Sequence, residues 1–235
     1  MYAIPRISSV FFAVLLLLFC WLGCLGAEET VYVKFDGGPD PTAPLGSRAN
    51  PYRRIQEGID HFDDDYFTQN AGQHFGVVRV AFGTYDETIR LRSRVRVYGG
   101  RGGPGGTIIT HDGWHASIVS AEHIRAARLD GFTIRGGRYT RGAGMYIEDS
   151  EITVQWCHFT DNVCRDPETH STRPVCEGAP ISGSGGGMLI YRASPEIREC
   201  TFSGNYTRAG AGAGLCNILA SPDVIDCTFS NNTAE

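Results

Sequence analysis

The chain has 235 residues, 21 Lys+Arg against 26 Asp+Glu, and a formal charge of −5. Its 42% hydrophobic and 11% aromatic content is enough for a sizeable core and excludes wholesale disorder. The acidic balance argues against a dedicated nucleic-acid binder, so no nucleic acid is expected among its partners.

Residues 1–27 read as a secretory signal peptide. Arg6 is the one charge, the run from Val10 to Leu22 is apolar, and small residues lead to Ala27. Cleavage after Gly26 or Ala27 leaves a chain that is secreted or displayed at the cell surface, with no transmembrane span. An uncleaved anchor ranks behind that reading, as does a lipoprotein link through Cys24, whose flanking residues fit such a signal poorly. Residues 28–235 then form one domain: an N-terminal cap over 28–76, coils over 77–235 and an insert loop at 164–183.

Asn50 as cap, Pro51 at the first position, and Ile55, Ile59 and Phe62 at helical spacing predict one amphipathic helix that plugs an open end of the core. Asp63-Asp64-Asp65 after it reads as a solvated loop. Asp36 to Asp40 offers oxygens without the spacing of a calcium hand. His111-Asp-Gly-Trp-His115 concentrates unusual side chains. It reads first as a turn, with Trp114 as a surface on which a sugar ring could stack.

Internal repetition decides the fold. Cys157-His-Phe-Thr-Asp-Asn162, Cys200-Thr-Phe-Ser-Gly-Asn205 and Cys227-Thr-Phe-Ser-Asn-Asn232 share one pattern. The last two share a spacing of 27 from Asn205 to Asn232, and the first two are separated by 27 plus the insert. A further step of 27 back from Phe159 reaches Phe132, and the same step aligns Ile118 with Met145 and Ala127 with Val154. Within each unit, short period-two apolar stretches alternate with Gly, Ser-Pro or Asn turns, which predicts strands. Such units bury a face only when stacked, so the fold class is all-β: a right-handed parallel β-helix (solenoid) with a short N-terminal capping α-helix.

Stacking places Phe132, Phe159, Phe202 and Phe229 in an aromatic column, and Asn162, Asn205 and Asn232 in an amide ladder. Asn205-Tyr-Thr and Asn231-Asn-Thr also match glycan acceptors, but the ladder role is preferred. Loss of the signal leaves six cysteines for an oxidising compartment. Cys157, Cys200 and Cys227 face inward, and Cys164 with Cys176 is the candidate disulfide, closing the insert. No capping element follows Thr233-Ala-Glu235, so a C-terminal continuation, or a partner covering the solenoid end, is expected.

Val31-Tyr-Val-Lys-Phe-Asp-Gly-Gly38, Val78-Arg-Val-Ala-Phe-Gly-Thr-Tyr-Asp86 and Val97-Tyr-Gly-Gly100 resemble the opening coils of pectin-lyase-like right-handed parallel β-helix proteins. The Gly-Gly-Gly-Met-Leu-Ile190 and Phe-x-x-Asn elements are similar to repeats of chlamydial polymorphic outer-membrane proteins and related bacterial surface β-helices. The resemblance covers nearly all of residues 30–235. It implies the fold far more specifically than an activity.

Enzymes of this fold act on acidic polysaccharides with calcium-holding carboxylates and a basic proton acceptor. Carried onto this chain, that implies a candidate column of Glu122, Asp149 and Arg192, with Glu148 beside it. Arg192 and Asp149 are the catalytic candidates, Glu122 and Asp149 the candidate calcium ligands, and Glu122, Asp149, Arg192 and Trp114 the candidate ligand-binding set. A second column is Arg128, Gln155 and Arg198, beside Glu196, Glu199, Asp223 and Asp226. Any solenoid face yields some such column, because opposite charges on adjacent strands pair. The preferred function is therefore a non-catalytic scaffold or recognition module for polysaccharide or cell-surface glycan. A calcium-assisted polysaccharide lyase or related enzyme is the alternative.

Overall fold

The computed structural model describes residues 28–35, 40–70, 75–100, 106–165, 183–208 and 211–235. The expected signal segment, most of the 164–183 insert and Cys176 lie outside the described residues. Among the described residues no helix is long and apolar enough to cross a membrane.

The chain winds into a parallel β-solenoid, as its repeats predict. A representative coil has four short strands, Met145–Glu148, Glu151–Gln155, His158–Thr160 and Val163–Cys164. Each stacks in parallel on its counterpart in the neighbouring coils, which gives sheets of five, seven, six and four strands. We refer to these as the first, second, third and fourth sides. Period-two alternation drives the winding: Ile152 and Val154 point inward and are buried, while Glu151 and the partly exposed Thr153 and Gln155 point out.

The corners are built from residues in the left-handed region. His123, Asp149, Arg192 and Leu219 have φ of 57°, 43°, 51° and 51° between the first and second sides. Gly131, Trp156, Glu199 and Asp226 turn the chain into the third side, with φ of 81°, 54°, 51° and 52°. A non-glycine residue there costs about 1–2 kcal/mol. The strain is offset because each corner still joins the ladder: Asp149 donates its N–H to the Tyr191 carbonyl at 3.2 Å, and Trp156 to that of Arg198 at 3.2 Å.

The amide ladder forms. Asn162 Nδ2 donates to Asn205 Oδ1 at 2.9 Å, and Asn205 Nδ2 to Asn232 Oδ1 at 2.9 Å. Asn205 Nδ2 also donates to the Phe159 carbonyl at 2.9 Å. The aromatic column is shorter than expected. Phe159, Phe202 and Phe229 stack at 4.9 and 4.8 Å with nearly parallel planes, but Phe159 lies opposite Ile134, not Phe132. Phe132 is buried two residues earlier, against Thr107 of the preceding coil. The coil is shorter here than the repeat predicts, because the second-side strand carries a bulge at Glu151/Ile152 and pairs Val154 with Leu129 rather than Ala127. On the first side the partner of Met145 is Val119, not Ile118.

The N-terminal cap also departs from expectation. Asn50 donates to the Ala43 carbonyl and so stays in the preceding turn, and Tyr52 bridges to Val33. The helix spans Ile55–Asp60 instead, where Ile55 and Gln56 donate their N–H groups to the buried Glu87 carboxylate at 2.8 and 3.1 Å. Asp63-Asp64-Asp65 is not a loop. Asp63 accepts from the Tyr66 N–H at 2.8 Å and starts a second helix, Asp64–Gln69. Ile55, Ile59, Phe62 and Phe67 join Val31, Val33 and Val78 in the main core. Glu29–Val33 pairs in parallel with Gly76–Val80, so the first strand of the second side lies within the segment expected to be cap.

Cys157, Cys164, Cys200, Cys216 and Cys227 are free thiols. Cys164 faces inward and its thiol donates to the Ser184 carbonyl at 3.3 Å, while Cys176, its expected disulfide partner, lies outside the described residues. Its strand, Val163–Cys164, belongs to the fourth side and buries it there.

Candidate functional site

The register rearranges the expected column. Glu122 lies opposite Glu148 on the first side, and Glu148 opposite Tyr191. Asp149 belongs to the corner, where its neighbours are His123 and Arg192. The reason is again a coil shorter than the repeat predicts, here between Val119 and Met145. Asp149 and Arg192 are brought together, with Nε 3.4 Å from Oδ1. Glu122 is left out and faces Arg90 at 3.8 Å. His123, for which sequence reasoning had no role, places Nδ1 3.7 Å from Asp149 Oδ2. Tyr146 donates its hydroxyl to Glu148 Oε2 at 2.8 Å. Burial, and then that carboxylate, push the Tyr146 phenol above the ordinary tyrosine range.

The second column changes too. Arg128 lies opposite Thr153, and Gln155 opposite Asp130 and Arg198. The Arg128 guanidinium nevertheless reaches Gln155 Oε1 and binds the buried Asp130 carboxylate at 2.8 Å. Arg198 pairs with Glu196 at 2.6 Å. Trp114 lies apart from both columns, with the Arg165 guanidinium over its ring at 5.0 Å.

The calcium expectation can be tested on these donors. Calcium takes six to eight oxygens. Around Asp149 the neighbours are one further carboxylate, an imidazole and a guanidinium. That set does not fit calcium, and Glu122 does not complete it.

A different feature of the second side went unread in the sequence. Its outer face carries Tyr32, Arg79 and Tyr98 in one cross-strand row, and Arg96 beside Arg128 in the next. Arg79 and Arg128 lie over the Tyr98 ring at 5.5 and 5.9 Å. Arg96 lies over Phe75 at 3.7 Å and pairs with Glu28 at 2.5 Å. A cleft of about 340 Å³ opens among Phe75, Arg96, Tyr98, Arg128 and Thr153. Beside it a hollow of about 260 Å³ is lined by Tyr32, Lys34, Arg48 and Arg79. Toward the later coils the same face turns acidic at Glu196 and Asp223. The available signal was Val78-Arg-Val80 and Val95-Arg-Val97, an outward-facing arginine between buried valines twice over. Val78 lies opposite Val97, a much shorter step than the one the later repeats define, so a search at the repeat period passes over these strands.

No family model and no curated protein matches the chain. Among solved structures, it is similar to a Parabacteroides merdae protein provisionally named a glycosyl hydrolase, at 14% identity and a TM-score of 0.40, over 86% of this chain and 96% of that one. A likeness at that level carries no argument about activity. The class that the fold defines is a parallel β-solenoid with its N-terminal coils closed by two short helices.

Proposed function

We propose that the chain is a secreted or cell-surface recognition module that binds an acidic glycan along the outer face of its second side, without turnover. The observation that carries this reading is the cleft in which Arg96 and Arg128 alternate with Tyr98 and Phe75, continued by Arg79 in the adjoining hollow. Sugar rings present an apolar face that stacks on aromatics, and carboxylate or sulfate groups take guanidinium forks. Arg96 and Arg128 are direct cross-strand neighbours, and like charges so placed repel. Arg96 pairs with Glu28 and Arg128 with Asp130, on separate carboxylates. A polyanion spanning both arginines would relieve the repulsion between them. The basic row is local in a chain of net charge −5, so attraction should be confined to this face. A calcium-assisted lyase is the weaker reading, since the Asp149 corner offers two carboxylates where calcium takes six to eight oxygens.

The test is binding to a panel of polyuronates and sulfated glycans at several salt concentrations, with the absorbance of unsaturated product followed in calcium and in chelator. The expected result is saturable binding that weakens with salt, no product, and about a tenfold loss in Arg96→Ala or Tyr98→Ala. Unsaturated product, or binding indifferent to both substitutions, overturns the proposal.

A further inference from the structure

The corner between the first and second sides points to a metal site. We infer that His123, Glu148 and Asp149 form a site for a borderline divalent cation of the zinc class, separate from the glycan cleft and independent of that reading.

One donor atom from each of the three residues lies within 4.8 Å of the others. Two ligands about 2.0–2.2 Å from one tetrahedral ion stand roughly 3.4 Å apart, and His123 Nδ1 is already 3.7 Å from Asp149 Oδ2. The backbone holds this geometry. His123 and Asp149 are stacked left-handed corner residues, and the His123 N–H donates to the Glu148 carbonyl at 2.9 Å, joining the two coils between the ligands.

The neighbours orient the donors as supporting groups do around metal ligands. Tyr146 takes one oxygen of Glu148 and leaves Oε1 free. Arg192 approaches Asp149 at Oδ1, so the Oδ2 that faces the imidazole stays open. One nitrogen and two carboxylate oxygens, with solvent completing the shell, suit zinc, cobalt or manganese better than calcium, which prefers oxygen alone. The same shortened coil that removes Glu122 from the column brings His123 in, so the ligand set follows from the register.

The experiment is titration of the purified, metal-stripped chain with Zn²⁺ and, in parallel, Co²⁺, by calorimetry and visible absorption. One equivalent should bind, and the cobalt spectrum should show nitrogen and oxygen ligation without a thiolate charge-transfer band. His123→Asn and Asp149→Asn keep side chains that tolerate left-handed φ, so both should fold and both should abolish the equivalent. Tyr146→Phe should weaken it by about tenfold. Arg192→Ala should tighten it, since it removes a competing cation from Asp149. A thiolate band, unchanged binding in the folded His123→Asn chain, or calcium binding as tightly as zinc overturns the inference.

Discussion

The last three coils and the coils before them solve the same stacking problem differently. From Met188 onward every side repeats at one step: Met188 meets Leu215, Ile197 meets Val224, and Phe202 meets Phe229. Earlier, the step is shorter and varies from side to side: Val119 meets Met145 where the repeat calls for Ile118, and Ile134 meets Phe159 where it calls for Phe132. The difference is a matter of what fixes the register. In the later coils Asn162, Asn205 and Asn232 bond to one another and to main-chain carbonyls, so a slip in register would break several buried hydrogen bonds at once. The ladder cannot extend backward. Gly137 donates its N–H to Asn162 Oδ1 at 3.0 Å, and a Cβ there would lie 2.3 Å from the Ala143 carbonyl oxygen. Without a side chain at that rung, apolar packing alone sets the earlier register, and it tolerates a bulge.

If the ladder fixes the later register, its middle rung should be the costliest to remove. Asn205→Ala takes the Asn205 Oδ1 acceptor from the Asn162 N–H and Nδ2 and a donor from the Phe159 carbonyl, while Asn232 Oδ1 keeps the Asn205 main-chain N–H. The expected loss is about 3–5 kcal/mol, since each buried group left unpaired costs about 1–3 kcal/mol. Urea titration measures it. A loss below about 1 kcal/mol, the net worth of a single ordinary hydrogen bond, would assign the register to apolar packing throughout.

The aromatic pair Phe202 and Phe132 separates the two regions next. Phe202 is fully buried between two parallel rings, and Phe132 is equally buried outside that stack. Phe202→Leu should therefore cost about 1 kcal/mol more than Phe132→Leu, because it forfeits two ring contacts in addition to volume. Equal losses would mean that the stack adds nothing beyond burial.

The cap offers a pH-dependent contrast with the uncharged ladder. Burial raises the Glu87 pKa, against the lowering effect of the Ile55 and Gln56 N–H groups. A carboxyl whose folded pKa exceeds its unfolded value binds its proton more tightly when folded. Its stabilising contribution is therefore full below the unfolded pKa of about 4.3 and declines as pH rises through the folded pKa. Thermal melts from about pH 4 upward should show Glu87→Gln gaining on the natural chain, while Asn205→Ala keeps a constant deficit.

The fold was legible because the repeats of Asn and Phe are direct records of stacking. The corner site was legible only in part, and the reason is arithmetic. Asp149 and Arg192 lie on opposite sides of the insert, where the repeat phase holds, and they do meet. Glu122 lies across the shortened coil and is displaced by one position, which on a strand or corner changes the direction of the side chain altogether. Phe132 and Ala127 are displaced by two positions, so they stay on the inner face and change only their partner. The basic cleft escaped because a charged residue between two valines reads as an ordinary exposed position. Only the register shows that Arg96 and Arg128 share a row. The second helix was missed because Asp63 was counted as a charge when its role is a cap.

The smallest expected effect concerns the thiols, and it tests whether the later coils are tight at their inner edge. Cys157, Cys200 and Cys227 stand in one inward column, with thiols donating to main-chain carbonyls such as those of Gln155, Arg198 and Ile225. The Cys200 pKa is raised first by its contact with the Cys157 thiol and then by burial. Burial alone dominates at Cys164, whose pKa is pushed up to about 12, and it raises Cys216 and Cys227 as well. With their pKa values raised, Cys164, Cys200, Cys216 and Cys227 hold their protons more tightly, and the thiolate is the reactive form. Iodoacetamide should therefore label the native chain slowly, and peptide mapping should find Cys227, partly exposed on the last coil, modified before Cys157, Cys164 or Cys200. Asn205→Ala should raise labelling at Cys200 and Cys227 together and leave Cys164 slower, because the amide rung and the thiol column belong to the same coils. Labelling of Cys164 at the rate of Cys227 in the natural chain would mean that the fourth side opens as readily as the exposed end, and that the ladder does not hold the coil closed.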